Sequence, residues 1–299
     1  AEATKHGPRR HVRPVRHQLH NEVGEFTFAS GSRCTCHAAS IRAGHKAGII
    51  TPFRPSRDLP LASARIAMSA IEFAPGLVIQ GFTPVLSLSS FKAIAFDMDS
   101  TLISIECIDE IADAVGKKAE VAAITEAAMR GEITDFKDSL RRRVALLKGV
   151  PAEALQEVYT QRLKINPGAP ELINAAKAAG LQTLLVSGGF TFFADRVKER
   201  LGMHEAHSNT LEIEGGLLTG QVLGDIVDGE AKKQHVLALC QRIGCAPKQA
   251  IAVGDGANDL LMMGVSGLSV AYHAKPKVRE QAMIAINEGG LDRVLEVVR

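Results

Sequence analysis

The sequence lacks long hydrophobic runs and any large excess of charge of one sign. Its 299 residues are 46% hydrophobic and 23% charged, a globular composition that excludes a wholly disordered chain. No apolar stretch reaches the roughly 18–20 residues that cross a bilayer, so we expect neither a transmembrane helix nor a membrane partner. The length fits one large or two ordinary domains.

Cysteine is also scarce. The chain has five cysteines, an odd number and too few for a disulfide framework in a chain of this size. This scarcity predicts a reducing compartment, and we expect a cytoplasmic protein.

The net charge of +2 hides a division of the chain. Residues 1–67 contain 11 Lys+Arg, 4 Asp+Glu and six of the ten histidines, so the remaining residues are net acidic. Because this segment has no helical or strand periodicity, we expect a disordered basic leader or translated upstream sequence without a fold. A cleavable organelle-targeting leader and a polyanion-binding arm are the alternatives. The acidic remainder predicts no nucleic-acid partner.

Three short apolar runs end abruptly in polar residues, as buried parallel strands do. Residues 93–96 precede an acidic stretch, residues 184–186 precede Ser187-Gly188-Gly189, and residues 251–253 precede Gly254-Asp255-Gly256. Because helical patterns alternate with these runs, we predict a doubly wound, mainly parallel, Rossmann-like α/β domain. The polar strand ends then converge on one crevice. A fourth strand is predicted at 268–272, and helices at 169–179, 191–201, 231–243, 257–264 and 290–298.

Helical patterns without strands interrupt this alternation after the first strand. They predict a small helical-bundle cap over residues 104–165, which would cover the crevice and act as a lid. The core then comprises residues 91–103 and 166–299, and residues 68–90 are expected to be a linker. Residues 208–223 look like a β-hairpin.

Carboxylates dominate the predicted crevice. Asp97 and Asp99 follow the first strand two residues apart and point the same way, and Asp255 follows another strand. A dication would remove the repulsion between these acids. Because no Cys or His accompanies them, the set favours Mg²⁺ over Zn²⁺.

The polar strand ends also resemble a known family. Four motifs follow one another along the chain: 97–102 (DMDSTL), 187–189 (SGG), Lys232 and 254–259 (GDGAND). They are similar to the four motifs of the haloacid-dehalogenase-like hydrolases. Three further stretches, 104–111, 129–143 and 186–190, resemble the phosphoserine phosphatases of that superfamily, and the likeness covers about residues 91–299.

The resemblance implies a Mg²⁺-dependent phosphomonoesterase that hydrolyses O-phospho-L-serine to L-serine and phosphate in the last step of serine biosynthesis. It implies that Asp97 is the nucleophile that forms an aspartyl-phosphate. Asp99 would protonate the leaving alkoxide and then act as base toward water. The implied Mg²⁺ ligands are Asp97, the Asp99 carbonyl and Asp255.

The remaining phosphoryl contacts are also implied by the resemblance. Lys232, Ser187 and Gly188 would hold phosphoryl oxygens, Asn258 would contact phosphate or water, and Asp259 would stand behind the metal ligands. Helix geometry alone does not separate Lys232 from Lys233, because both lie near the same apolar stripe.

Substrate choice is expected to come from the cap. At about 100° per residue, Arg143 falls on the apolar stripe of its helix, whereas Arg141 and Arg142 point away. A guanidinium there needs a partner, and a ligand carboxylate would serve. An arginine that snorkels from the edge of the bundle is the alternative.

For the substrate ammonium the resemblance indicates Glu106. From the residues alone, the helix dipole explains an acid in the first turn of a helix better, because Asp109 and Glu110 are just as acidic. Met129 and Phe136 could shield the substrate, although periodicity alone favours a core role.

Two rival functions stand beside this hydrolase, and only the second belongs to another class. One is a related phosphatase or phosphotransferase that acts on another small phosphorylated metabolite, for example with homoserine as phosphoryl acceptor. The other is a non-enzymatic binding module that the basic leader tethers to a polyanion, which salt-dependent binding would reveal.

Overall fold

One mixed, mostly parallel sheet forms the centre of the structure, a computed structural model that describes residues 70–129 and 132–299, with all side chains except those of Ala128 and Met129. Its order within these residues is β1-β2-β9-β8-β7-β3-β4-β5-β6. Strands β9 to β5 in that order run parallel, while β1–β2, β2–β9 and β5–β6 are antiparallel. The bounds are β1 Ile71–Ala74, β2 Leu77–Ile79, β3 Ala93–Phe96, β4 Gln182–Phe190, β5 Glu205–Glu214, β6 Leu217–Leu223, β7 Ala250–Gly254, β8 Leu268–Tyr272 and β9 Ile284–Ile286.

Helices cover both faces of this sheet. All four residues of β3 are buried, and they alternate: Ile94 and Phe96 enter one core layer, while the smaller Ala93 and Ala95 enter the other. The doubly wound α/β prediction is therefore confirmed. The helices of the described residues are α1 Cys107–Ala114, α2 Lys118–Met129, α3 Phe136–Ala145, α4 Glu153–Glu157, α5 Ala169–Ala178, α6 Thr191–Leu201, α7 Gly229–Arg242, α8 Leu260–Val265, α9 Pro276–Gln281 and α10 Val294–Val297.

Helices α1 to α4 form the cap that leaves the sheet after β3 and returns before β4. The two connecting segments pair through a bridge between Ile103 and Ile165, at the predicted boundary. Buried Asn166 ties them together: its Nδ2 donates to the carbonyl oxygens of Thr101 (2.8 Å) and Ile103 (3.1 Å). This amide fixes the direction in which the cap leaves the core.

The β5–β6 hairpin, predicted at 208–223, supports the cap from below. The backbone of Leu218 accepts a hydrogen bond from Gly149 N–H and donates one to Val150 O, both at 2.8 Å. At Gly220, which has a φ of +84°, an added Cβ would lie 3.1 Å from Lys148 Cβ. The end of α3 therefore lies directly against the hairpin.

The predicted linker over 68–90 was wrong in part, because the structure contains strands β1 and β2 there. Strand β2 buries Leu77 and Ile79 and pairs with β9, which the sequence reading also missed. Strands β2 and β9 have only three residues each, too few for an alternation of period two to be recognised. Strand β1 has four residues and is largely exposed.

The expected leader, residues 1–67, lies outside the described residues. Among the residues that are described, no helix combines the length and the apolar character needed to cross a bilayer.

Substitution Asn166→Ala should destabilise the fold by about 1–3 kcal/mol, because two buried carbonyls would lose their donor. Thermal or urea unfolding measures this loss. Asn174→Ala, on the exposed side of α5, is the matched control and should change stability little. Equal effects of the two substitutions would show that Asn166 does not tie the cap to the core.

Candidate active site

The acidic strand ends meet at one point of the sheet. Asp97 follows β3 and Asp255 follows β7, which are adjacent parallel strands. One carboxylate oxygen from each of Asp97, Asp255 and Asp259 lies within 4.8 Å of the others. The predicted convergence of polar strand ends is thus confirmed by the strand order.

A buried ammonium stands between two of these acids. Lys232, on the first turn of α7, is fully buried, and its Nζ lies 2.7 Å from both Asp97 Oδ1 and Asp259 Oδ1. Burial alone would lower the pKa of Lys232, but Asp259 and Asp97 outweigh it and raise the pKa, so the ammonium stays charged. Lys233 instead pairs with Glu230 at the surface, so the structure separates the two lysines that the sequence did not.

Asp259 uses both of its oxygens within the protein. Oδ1 binds Lys232, while Oδ2 accepts the N–H groups of Asp255 (3.1 Å) and Gly256 (3.0 Å). Its approach requires a glycine at 254, where an added Cβ would lie 2.3 Å from Oδ2. Asp259 therefore anchors the lysine and the loop that presents Asp255.

Asp255 is only partly compensated by this arrangement. Burial, together with the charges of Asp97 and Asp259, raises its pKa to about 8. The hydroxyl of Thr101 donates to its Oδ1 at 3.4 Å, a long and therefore weak hydrogen bond. Lys232 opposes this rise in pKa, but no cation of the described residues forms an ion pair with Asp255 as Lys232 does with Asp259.

A divalent cation fits the charges of this centre. Of the four carboxylates at this centre, only Asp97 and Asp259 contact the Lys232 ammonium. Asp99 Oδ1 is buried without a hydrogen-bond partner among the described residues. Hard oxygen donors with no thiolate or imidazole among them suit Mg²⁺. The free oxygens for such an ion belong to Asp97 and Asp255, since those of Asp259 are already bonded.

A tight turn presents Asp99 to the crevice. Asp99 (φ −63°, ψ 134°) and Ser100 (φ 57°, ψ −2°) have the angles of a type II turn. A left-handed serine is uncommon and costs free energy, which is typical of functional loops. Burial first, and Glu106 next, raise the pKa of Asp99 well above its usual range. This environment therefore favours the protonated form of Asp99.

The end of β4 forms the opposite wall. The hydroxyl of Ser187 is buried and accepts a hydrogen bond from Gly189 N–H at 2.9 Å. Asn209 on β5 fixes this segment, since its Nδ2 donates to Gly188 O at 2.7 Å and its Oδ1 accepts Val227 N–H at 2.8 Å.

The cap touches the core directly above this wall. The Phe136 ring lies so close to Gly188 that an added Cβ would be 2.9 Å from Phe136 Cζ. Next to it, Lys137 Nζ lies 3.2 Å from Asp228 Oδ2, and Asp228 caps α7 by accepting Ala231 N–H. The N-terminus of α3 therefore closes the crevice over the helix that carries Lys232.

Two further residues predicted for the site are Asn258 and Met129. Asn258 lies half-buried in the turn Ala257–Asp259, with its Oδ1 over Gly256. Met129 ends α2, and its side chain lies outside the described residues.

Arg143 and Glu106 occupy the cap side of the crevice. Arg143 is half-buried while Arg141 and Arg142 are exposed, as helix geometry predicted. Burial lowers the pKa of Arg143, which Asp109, Glu106 and Asp99 oppose. Its Nε donates only a long 3.4 Å bond to Ser139 O.

Glu106 precedes α1 and faces the same acids. Its Oε1 accepts a hydrogen bond from Ser100 Oγ at 2.8 Å. Part of this side chain is exposed to water, but burial of its carboxyl raises the pKa of Glu106. The Ser100 hydrogen bond opposes this rise, while Asp97 and Asp109 add to it.

Sequence reasoning missed the residues that hold these groups in place. Thr101 and Lys137 each make one side-chain contact to an element distant in sequence, and Asn209 makes two. Only Asn209 carried a signal, an amide in the middle of a strand where such side chains are uncommon.

Comparisons with known proteins agree with this site. A model of the haloacid dehalogenase-like hydrolases matches residues 91–267. A phosphoserine phosphatase from Polaromonas sp. is 65% identical over 236 residues, which are 78% of this chain and 100% of that protein. One from Albidiferax ferrireducens is 63% identical over 234 residues, 77% of this chain and 99% of that protein.

A solved structure gives the same result. The phospho-aspartyl intermediate analogue of phosphoserine phosphatase is 39% identical with a TM-score of 0.66, covering 70% of this chain and 99% of that chain. The residues that the family model matches include β3, β4 and β7, whose ends form the walls and the acidic centre of the crevice. The chain therefore belongs to the haloacid dehalogenase-like hydrolases and, within them, to the phosphoserine phosphatase family.

Proposed function

We propose that this protein is a Mg²⁺-dependent phosphomonoesterase that hydrolyses O-phospho-L-serine to L-serine and phosphate. The observation that carries the proposal is the Asp97 carboxylate at a strand end, paired with buried Lys232 and facing a cap that offers Arg143 and Glu106. The high identity to phosphoserine phosphatases supports this substrate.

Asp97 is the proposed nucleophile. Its carboxylate oxygen attacks phosphorus, and the bond between phosphorus and the serine oxygen breaks, which gives an aspartyl-phosphate. Lys232 lies 2.7 Å from the Asp97 carboxylate, and its charge attracts the phosphoryl oxygens.

Asp99 is the proposed acid and base. Its raised pKa leaves a proton that it donates to the departing serine alkoxide. The ionised Asp99 then takes a proton from water, whose oxygen attacks phosphorus and displaces the Asp97 carboxylate. Both protons are accounted for without a further residue.

Asp97, Asp255 and the main-chain carbonyl of Asp99 would hold Mg²⁺. When bound, the ion offsets negative charge on the transferring phosphoryl group. The raised pKa of Asp255 supports a role as ligand, because a nearby cation would stabilise the ionised form that burial disfavours.

The other phosphoryl contacts come from the crevice walls. We assign them to the Ser187 hydroxyl, the Gly188 backbone, Lys232 and Asn258. The hydrogen bonds of Asn209 to Gly188 and Val227 support this role, because they hold the segment that follows Ser187 in one conformation.

The cap provides the proposed specificity. Arg143 takes the substrate carboxylate through its terminal nitrogens, and Glu106 takes the ammonium. Phe136 over Gly188, with Met129, would exclude water from the reacting phosphate.

The cytoplasm is the proposed compartment. Three cysteines of the described residues, Cys107, Cys240 and Cys245, are free thiols, which suits a reducing environment.

Substitution Asp97→Asn should reduce turnover of O-phosphoserine by about 10³-fold or more, because the amide is not a nucleophile. Phosphate release measures the loss, and a thermal melt checks the fold. Asp195→Asn, exposed on α6, is the control and should leave activity unchanged. Phosphatase activity retained in Asp97→Asn would overturn the proposal.

Substitution Arg143→Ala should lower kcat/KM for O-phosphoserine about 10–100-fold, while an aryl phosphate that lacks a carboxylate is affected little. The matched control is Arg142→Ala, whose guanidinium is exposed and pairs with Asp138 at 2.8 Å. Equal losses on both substrates would contradict the assignment of Arg143.

The metal-free protein should lose stability as pH rises from about 4 to about 8, because unfolded Asp255 ionises near 4 but folded Asp255 only near 8. Mg²⁺ requires the ionised acid, so its stabilising shift in Tm should be larger near pH 8 than near pH 6. Calorimetry with EDTA or Mg²⁺ tests this. Asp255→Asn should reduce the dependence without abolishing it, because the pKa of Asp99 is raised as well. Equal Mg²⁺ shifts at both pH values in the unsubstituted protein would refute the prediction.

A further inference from the structure

Helix α1 carries acids with different partners. Arg162 NH1 binds Glu110 Oε2 at 2.7 Å and also binds Asp113. These two acids therefore pair with Arg162, which lies at the C-terminal end of the cap. The acids left over at the start of α1 are Glu106 and Asp109, which the sequence reading could not distinguish from Glu110.

Asp109 is left with an unsatisfied oxygen. Its Oδ1 is buried and has no hydrogen-bond partner among the described residues. A buried charged oxygen without a partner costs more than a satisfied one, so the position calls for an explanation. An acid needed only for the helix dipole would lie equally well in water.

Two cations act on the charge of Asp109, Arg143 and Lys118. Both lower the pKa of Asp109, Arg143 more strongly, while burial raises it. Asp109 in turn is the carboxylate that most raises the pKa of Arg143. Lys118 is exposed and lies 3.9 Å from Asp113. Among the described cations, Arg143 therefore acts most strongly on Asp109, although none of its nitrogens lies within 4.0 Å of that carboxylate.

The Arg143 guanidinium is held loosely from its own helix. Nε makes the 3.4 Å bond to Ser139 O, and among the described residues no carboxylate lies within 4.0 Å of its nitrogens. A long, charged side chain with so little restraint needs an external group to fix its direction.

We propose that Asp109 is a positioning residue, which directs the Arg143 guanidinium toward the carboxylate of the substrate. The inference rests on the proposed function, because it assigns how Arg143 meets an amino-acid phosphate. Asp109 does not touch the phosphorus or the leaving group, so it affects recognition of the substrate and not phosphoryl transfer itself.

Substitution Asp109→Asn keeps the shape and removes the charge. We expect about a tenfold loss of kcat/KM on O-phosphoserine, mainly through KM, and little change on an aryl phosphate. Glu110→Gln on the same helix is the matched control and should show no such selectivity, because Glu110 serves Arg162. Asp109→Glu retains the charge and should recover part of the loss.

A double-mutant cycle tests whether Asp109 acts through Arg143. In an Arg143→Ala background, Asp109→Asn should cause no further loss on O-phosphoserine. A full additional loss in that background would overturn the proposal, and would point to Lys118 or to the substrate as the partner of Asp109.

Two substrate analogues separate positioning from direct binding of the ammonium. 3-Phosphooxypropanoate keeps the carboxylate and phosphoethanolamine keeps the ammonium. Asp109→Asn should weaken use of the first and spare the second, and the reverse pattern would overturn the proposal. If the unsubstituted protein showed no preference for O-phosphoserine, the proposed function itself would fail, independently of Asp109.

Discussion

A single buried ammonium holds the acidic centre of this protein together. Lys232 lies 2.7 Å from both Asp97 and Asp259, acids that repel each other and would otherwise push the strand ends apart. Asp259 also accepts the N–H groups of Asp255 and Gly256 and so holds the loop that follows β7. The ammonium is thus a structural support as well as a charge beside the proposed nucleophile.

The sheet supplies the proximity on which this pair depends. Strand β3 lies between β4 and β7, so residues from three distant parts of the chain emerge side by side at one edge. The groups proposed to carry the chemistry common to phosphate esters belong to the core. The groups proposed to distinguish one ester from another, Arg143 and Glu106, belong to the cap. This division lets the two parts of the site be tested separately.

Closure of the crevice uses contacts of a different kind. Phe136 lies against Gly188, and Lys137 pairs with Asp228, so one end of α3 joins an apolar contact to a half-exposed ion pair. Exposed ion pairs contribute little. The permanent attachment of the cap therefore comes from Asn166 and from the backbone bonds between Val150 and the hairpin.

The sequence by itself determined the alternation of buried strands and helices, the inserted cap, and the placement of Arg143 on the inner side of its helix, because these follow from local periodicity. Tertiary structure alone decided which of two adjacent lysines is buried, which acids of α1 remain unpaired, and that a short hairpin extends the sheet before β3. Such choices depend on partners far away in the chain. A three-residue strand or a single carboxylate has no periodic signal, and only the packed neighbours give it a position and a charge environment.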